Sequence, residues 1–321
     1  MSAVLAVTVP FFALVLAGYL AAQRRVLPEA AIPGLNAFVL YFALPAMLFR
    51  FGAETPIFDL LNPVVLGVWL VCALLIVFVT IACTLGRVHL KDAAFGALVA
   101  AFPNTGFMGV PLLVALLGPA AAGPLIAIIL ADMIVTTSLC IALAQAHDAR
   151  SGGAREAARR ALRGTLANPL PWAIAAGALF SVVGLTLPGP LAEVVRLLAD
   201  AATPVALFTI GAVLWRAGQH AHTRTPPALY LPVAAVKLLL HPLLVFAVGA
   251  AAIQLGAPLT AFQLMVLTLA AALPSASNVS LLAERYGADN GRVARIILAS
   301  TAVAFVSFSL LAALFGAMPG V

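Results

Sequence analysis

Long apolar runs separated by short charged connectors dominate this sequence of 321 residues. A helix that crosses a bilayer needs roughly 20 apolar residues, and the runs of this chain reach that length. Only 9% of the residues are charged, against about 25% in an ordinary globular domain. The sequence therefore predicts an all-α polytopic membrane protein and excludes a soluble domain of useful size.

Charge clusters and pairs of glycine or proline divide the chain into ten predicted transmembrane helices. These spans cover residues 3 to 22, 35 to 51, 63 to 86, 93 to 116, 124 to 146, 168 to 187, 191 to 215, 228 to 253, 258 to 284 and 293 to 315.

The basic residues lie mostly on one side of this arrangement. Fourteen of the 17 lysine and arginine residues lie in alternate connectors. Because cytoplasmic connectors are enriched in Lys and Arg, this asymmetry predicts both termini outside the cytoplasmic (inner) membrane. The net charge of +6 then indicates contact with anionic lipid head groups rather than a nucleic-acid partner.

The longest connector, residues 147–167, is basic and separates two sets of five spans, residues 1–146 and 168–321. We expect this connector to lie in the cytoplasm against anionic head groups. An odd number of spans in each set gives the second set the opposite orientation in the membrane. The sequence thus predicts two five-helix units joined by a basic hinge.

Local matches between the two sets indicate a duplication. Pro10 and Gly18 recur as Pro169 and Gly177, at an offset of 159 residues. The segment Leu44-Pro45-Ala46-Met47-Leu48-Phe49 is matched by Thr203-Pro204-Val205-Ala206-Leu207-Phe208 at the same offset. These matches predict a five-plus-five inverted repeat.

The fourth and ninth spans are each interrupted by a proline, Pro103 and Pro274, followed by small polar residues. Proline breaks a helix, and the freed backbone groups are tolerated at membrane depth only where protein or water covers them. The ends of the half-helices would offer partial positive charge and free N–H groups to an anion. We expect one shared cavity for a carboxylate, formed by Asn104, Thr105, Gly106, Ser275, Ser277 and Asn278. The alternative is that the prolines are packing kinks.

Three ionisable residues, Asp132, Lys237 and His241, lie within predicted spans. Charge at that depth is costly unless it is paired or faces water. We expect Lys237 to bind the carboxylate or to form an internal counter-ion, with snorkelling as the alternative. His241 either carries a coupling proton or packs as a neutral imidazole against a freed carbonyl, and Asp132 either balances Lys237 or carries a proton. A surface ion-pair cluster is expected for Glu193, Arg196 and Asp200.

Three motifs together resemble the auxin efflux carrier family: Asn104–Pro111, Lys237–Pro242 and Leu273–Asn278. The resemblance implies a sodium/bile-acid symporter-like fold with crossed fourth and ninth helices. It also implies a dimerising scaffold from the first, second, sixth and seventh spans, and hence a homodimer. Bacterial members are similar to transporters of malonate, malate and related acids, whereas plant PIN members export auxin. This chain lacks the long hydrophilic central loop of many plant members, which favours the short bacterial type.

The sequence predicts a secondary transporter of small organic anions that works by elevator-type alternating access. Neither a nucleotide-binding loop nor a His-x-x-x-His metal pair nor a Ser/His/Asp set is found, so we expect no enzyme activity, no cofactor and no metal. Two alternatives stay open. One is a sodium-coupled bile-acid-type symporter, and the other is a membrane sensor that binds its ligand without moving it.

Overall fold

The computed structural model describes residues 2–56, 62–146, 159, 163, 166–219 and 225–317. Most of the predicted basic connector, 147–167, therefore lies outside the described residues. The helices are α1 Ser2–Gln23, α2 Glu29–Glu54, α3 Pro63–Thr84, α4 Leu90–Ala101, α5 Thr105–Leu117, α6 Pro119–Gln145, α7 Pro169–Val183, α8 Gly189–Gln219, α9 Pro227–Gln254, α10 Ala261–Ala271, α11 Val279–Arg285 and α12 Asn290–Leu314.

Among the described residues, seven helices are long and apolar enough to cross a membrane, namely α1, α2, α3, α6, α8, α9 and α12. Three further apolar helices, α5, α7 and α10, are shorter. No β-strand occurs in this part of the chain, which contains a single isolated bridge. The prediction of a polytopic, nearly all-helical membrane protein is confirmed, while the ten-span inverted repeat stays a prediction.

Helix starts are encoded by side chains that cap free backbone N–H groups. Asn62 accepts hydrogen bonds from the backbone of Val64 and Val65 ahead of α3, and Asn168 caps α7 in the same way. In both cases a proline follows the asparagine and occupies the first turn, where its missing N–H costs nothing. Thus the sequence Asn-Pro starts one helix in each half.

The closest crossing between α1 and α8 is made at two glycines. A Cβ added to Gly18 would collide with the carbonyl oxygen of Phe208, and one added to Gly211 would collide with that of Val15. The same Cβ on Gly211 would lie 2.6 Å from the backbone nitrogen of Tyr19. The two helices therefore pack backbone against backbone, as small residues allow in membranes.

A second crossing of this kind joins α2 and α7. A Cβ on Gly52 would lie 2.9 Å from the carbonyl oxygen of Ile174, and one on Gly177 would collide with the carbonyl oxygen of Phe49. Since α2 also packs on α8, the helices α1, α2, α7 and α8 form one contiguous layer.

The remaining helices pack mainly on each other, through the pairs α3–α4, α4–α6, α9–α10 and α9–α12. The fourth and ninth predicted spans are interrupted here: α4 ends at Ala101 before α5 begins at Thr105, and α10 ends at Ala271 before α11 begins at Val279. The segment that opens α5 contacts α8. The two interruptions therefore lie inside one helical group, and one of them faces the α1–α2–α7–α8 layer.

Candidate functional site

The two helix interruptions bind each other through their backbones. The N–H of Asn104 donates to the carbonyl oxygen of Pro274 at 2.8 Å, and the N–H of Ala276 donates to the carbonyl oxygen of Phe102 at 3.0 Å. This short antiparallel pairing is the bridge between Pro103 and Ser275. It satisfies backbone groups that a broken helix would leave unpaired in an apolar interior. We call residues 102–109 and 272–280 the crossing.

Several polar groups of the crossing remain without a partner. Within the described residues, no hydrogen bond is made by the backbone N–H groups of Gly106, Phe107, Ser277 and Asn278. The hydroxyl oxygens of Thr105 and Ser275 are buried and unpartnered as well. A buried donor without a partner costs about 1–3 kcal/mol. The crossing thus presents backbone and hydroxyl donors that an anion would satisfy.

The predicted binding residues are brought together here but differ in exposure. Asn104, Thr105, Ser275 and Ser277 are at most 6% exposed. Gly106 and Asn278 are half-buried, so they form the accessible edge of the crossing.

A cavity of about 770 Å³ approaches the crossing from one end of the molecule. Its walls come from the first turns of α2, the last turns of α8, α11 and the loop before α12. Ser280 lines this cavity and donates its hydroxyl hydrogen to the carbonyl oxygen of Ser277 at 2.9 Å. The cavity therefore reaches the last residue of the crossing.

A second cavity, of about 370 Å³, lies at the other end of α2 and α8. It is lined by Arg50 and Glu54 of α2, Asp200 of α8, and Pro111 and Val114 of α5. The same two helices thus line both cavities, one at each of their ends. We call the cavity of about 770 Å³ the large vestibule and that of about 370 Å³ the small vestibule. Ser280 of the crossing lines the first, and α5, which the crossing opens, lines the second.

Ion pairs join α2 to α8 beside each vestibule. Arg216 lies 3.5 Å from Glu29 at the large vestibule, and Arg50 lies 3.4 Å from Asp200 at the small one. The predicted surface cluster is present, since Arg196 pairs with Glu193 and with Asp200 and all three are exposed. Arg50 also belongs to this cluster. The sequence did not predict this contact, because Arg50 is distant from the other members along the chain.

Lys237 and His241 lie behind the crossing and have no exposed surface. The ammonium of Lys237 donates to the carbonyl oxygen of Ala271 at 2.7 Å and lies 3.2 Å from Nδ1 of His241. The imidazole also contacts the backbone of Ala100, although Nε2 has no partner within hydrogen-bond geometry. The structure thus places both residues against the last turns of the half-helices α10 and α4.

Asp132, the third ionisable residue, is also fully buried. Its Oδ1 accepts hydrogen bonds from the indole N–H of Trp69 at 2.9 Å and from the Thr136 hydroxyl at 3.0 Å, while Oδ2 is unpartnered. Asp132 and Lys237 attract each other electrostatically, and the Trp69 ring lies 5.2 Å from the His241 ring. Both charged residues begin or occupy single π-helical turns, a distortion that is frequent at functional sites.

Two residues of this region escaped the sequence analysis. The contacts of Trp69 could not be predicted, because an aromatic residue is common in an apolar membrane span. Arg292 was counted with the basic connectors, but it is buried and donates to the carbonyl oxygens of Leu229 and Asp92 at 2.9 Å and 2.8 Å. Its guanidinium lies against Gly96. Among the described residues, no group of three or more His, Cys, Asp or Glu side chains is arranged to hold a metal ion.

Comparison with known proteins matches the chain to a family over nearly its whole length. The sequence profile of the family described as "Membrane transport protein" matches residues 3–312. The chain is 29% identical to the "Putative malonate transporter" of Rhizobium meliloti (strain 1021), covering 99% of this chain and 98% of that protein.

Two more distant relatives carry transporter names. The "Uncharacterized transporter YfdV" of Escherichia coli (strain K12) is 27% identical over 95% of this chain and 94% of its own. An "Uncharacterized transporter" of Methanothermobacter thermautotrophicus is 28% identical over 92% of this chain and 93% of its own. The resemblance to the auxin efflux carriers is confirmed, and the chain belongs to the membrane transport protein family, as a multi-pass transporter rather than an enzyme.

Proposed function

We propose that this chain is a secondary transporter of small organic anions, either malonate- or malate-like carboxylates or auxin-like weak acids, in the cytoplasmic membrane. The observation that carries the proposal is the set of unpartnered donors at the crossing. The hydroxyls of Thr105 and Ser275 and the free N–H groups beside them are costly to bury. A carboxylate would satisfy them, and the malonate named for one relative carries two such groups.

The substrate would bind along the accessible edge of the crossing. Gly106 and Asn278 are half-buried there, and the amides of Asn104 and Asn278 can bind a ligand oxygen and a backbone group together. Thr105, Ser275 and Ser277 supply further polar groups. Lys237 would act on the site from behind the crossing, since its ammonium is fully buried and donates to the carbonyl oxygen of Ala271.

The movement we propose is of the elevator type. The layer of α1, α2, α7 and α8 would form the scaffold and the homodimer interface, and the helices around the crossing would move against it. Support comes from the cavities, because α2 and α8 line both vestibules. The larger vestibule, beside Arg216, is then the cytoplasmic one, with both termini outside.

The glycine crossings support an inverted repeat with units 1–146 and 168–321 and the connector 147–167 between them. Gly18 and Gly177 are 159 residues apart, and so are Gly52 and Gly211. The contact of Gly18 with the Gly211 region has its counterpart in the contact of Gly177 with the Gly52 region. A two-fold relation between the halves would convert each contact into the other.

The test is uptake of radiolabelled malonate into proteoliposomes by the variants Thr105→Val and Ser275→Ala. Each change removes an unpartnered hydroxyl, so we expect equal or higher stability of the free protein. The loss of a hydrogen bond to a charged ligand, about 1.5–3 kcal/mol, predicts roughly 10- to 150-fold weaker malonate binding.

The matched control is Thr80→Val, because the Thr80 hydroxyl is equally buried and unpartnered but lies in α3. This variant should gain stability and keep its uptake. Wild-type uptake that disappears without sodium would favour the sodium-coupled symporter, and malonate binding without flux would favour the sensor. Normal uptake by both crossing variants would refute the proposed site.

A further inference from the structure

Two backbone N–H groups of the crossing, those of Asn104 and Ser275, do not make the hydrogen bonds that an unbroken helix would give them. In an unbroken α-helix the N–H of each residue donates to the carbonyl four positions earlier, so Asn104 would pair with Ala100 and Ser275 with Ala271. Instead, Asn104 donates to Pro274 at 2.8 Å, and Ser275 donates to the hydroxyl of Ser300 at 3.2 Å. Two carbonyl groups in the protein interior thereby lose their backbone partners.

Two side chains from one face of α9 lie next to Ala271 and Ala100. The Lys237 ammonium donates to the carbonyl oxygen of Ala271 at 2.7 Å, and the His241 ring contacts the backbone of Ala100. Lys237 and His241 are four residues apart, which places them on one helical face. One face of α9 thus lies against both broken ends.

The electrostatics of this arrangement are favourable. The C-terminal end of a helix carries partial negative charge, which a cation stabilises. Lys237 supplies that cation to the end of α10, and Asp132 attracts it from α6. Trp69 of α3 holds the Asp132 carboxylate through its indole N–H and packs its ring against His241. Three helices thereby support the two broken ends.

We propose that Lys237 and His241 are positioning residues. Lys237 replaces the withdrawn N–H group at Ala271 with its own hydrogen bond, His241 packs beside Ala100, and together they fix the two half-helices at the distance that the crossing requires. This inference rests on the proposed function in one respect, since the site being positioned is the anion site. It differs from direct binding, because Lys237 holds the C-terminal end of a half-helix while the substrate meets the free N–H groups on the other side of each break.

The first test measures hydrogen–deuterium exchange of the crossing by mass spectrometry, using the full chain in nanodiscs. Peptides covering 102–109 and 272–280 contain the paired amides of Asn104 and Ala276. Lys237→Met removes the donor, so we expect exchange there to become about 10- to 150-fold faster. Lys237→Gln keeps an N–H donor without the charge and should lie between wild type and Lys237→Met.

The control is Arg50→Met, which removes a cation from the exposed ion pairs of α2 and should leave exchange of the crossing unchanged. If Lys237→Met does not fold because Asp132 loses its partner charge, the double variant Lys237→Met/Asp132→Asn takes its place. Unchanged exchange in the folded Met variant, single or double, would overturn the proposal.

The second test compares binding of malonate with binding of its monoamide, malonamate. A positioning residue shapes the site for both probes, so Lys237→Met should weaken both by the same factor. A residue that contacts the second carboxylate would weaken malonate alone, and that result would also overturn the proposal. If wild-type protein binds neither probe, the proposed substrate is wrong, whereas the exchange experiment still decides the positioning role.

Discussion

The crossing of α1 and α8 gives a quantitative prediction, because its two glycines leave no space for a methyl group. In Gly211→Ala the new Cβ would overlap the carbonyl oxygen of Val15 and approach the backbone nitrogen of Tyr19 to 2.6 Å. These neighbours are backbone atoms, which cannot rotate away as a side chain does. The helices must therefore separate, by about 1 Å, which forfeits roughly a quarter to a half of the dispersion attraction across the contact.

The expected loss follows from this geometry. Overpacking a well-packed contact costs about 1–3 kcal/mol, and backbone neighbours put Gly211→Ala near the upper end of that range. Gly52→Ala should cost less, since its nearest atom, the carbonyl oxygen of Ile174, lies at 2.9 Å. Gly67→Ala is the matched control in a spanning helix, because nothing lies within 4 Å of its added Cβ and alanine favours the helix by up to about 1 kcal/mol.

The assay is the free energy of unfolding, measured by reversible SDS titration in mixed micelles. The predicted order of stability is Gly67→Ala highest, then wild type, Gly52→Ala and Gly211→Ala. If Gly211→Ala proved as stable as Gly67→Ala, the backbone contact between α1 and α8 would be wrong. The scaffold role that we propose for these helices would lose its structural basis with it.

Three further predictions concern the site, the topology and the buried arginine. Asn104→Ala and Asn278→Ala should each lower malonate uptake at least about tenfold while the protein stays folded, as size-exclusion profiles would show. Accessibility of a cysteine at Arg159 should place it in the cytoplasm, opposite a reporter fused to the C-terminus; a shared side would contradict the ten-span count. Arg292→Lys should cost at least about 1.5 kcal/mol in the same SDS titration, because lysine cannot reach both carbonyl groups, whereas the half-exposed Arg216→Lys should change stability by less than about 0.5 kcal/mol.

The sequence was informative where a local rule of chemistry applied. Proline must interrupt a helix, so the breaks at Pro103 and Pro274 could be placed without a structure. Charge must avoid the bilayer, so Asp132, Lys237 and His241 stood out from an apolar background. The role of His241, as a carrier of a coupling proton or as a packed neutral imidazole, stays a prediction.

The sequence was uninformative where partners are distant along the chain. Nothing near Trp69 indicates that its indole meets a carboxylate 63 residues later. Arg292 lies beside a connector and is basic, as connector residues often are. Helix packing nevertheless buries it against Gly96. The symmetry of the two breaks predicts that they share one cavity. The acceptor that each freed N–H group binds depends on the tertiary arrangement and cannot be predicted from the sequence.

The glycine contacts also determine the order in which the protein can mature during biosynthesis. Gly18 is translated 193 residues before Gly211, and each of these glycines packs against the backbone of the other's helix. At about 5–20 residues per second, the first helix resides in the lipid for roughly 10–40 s before its partner emerges from the ribosome. Throughout that interval α1 lacks the helix against which Gly18 packs. A chain whose synthesis stops between the two helices would therefore have its first half inserted in the membrane without α8, the helix on which α1 packs.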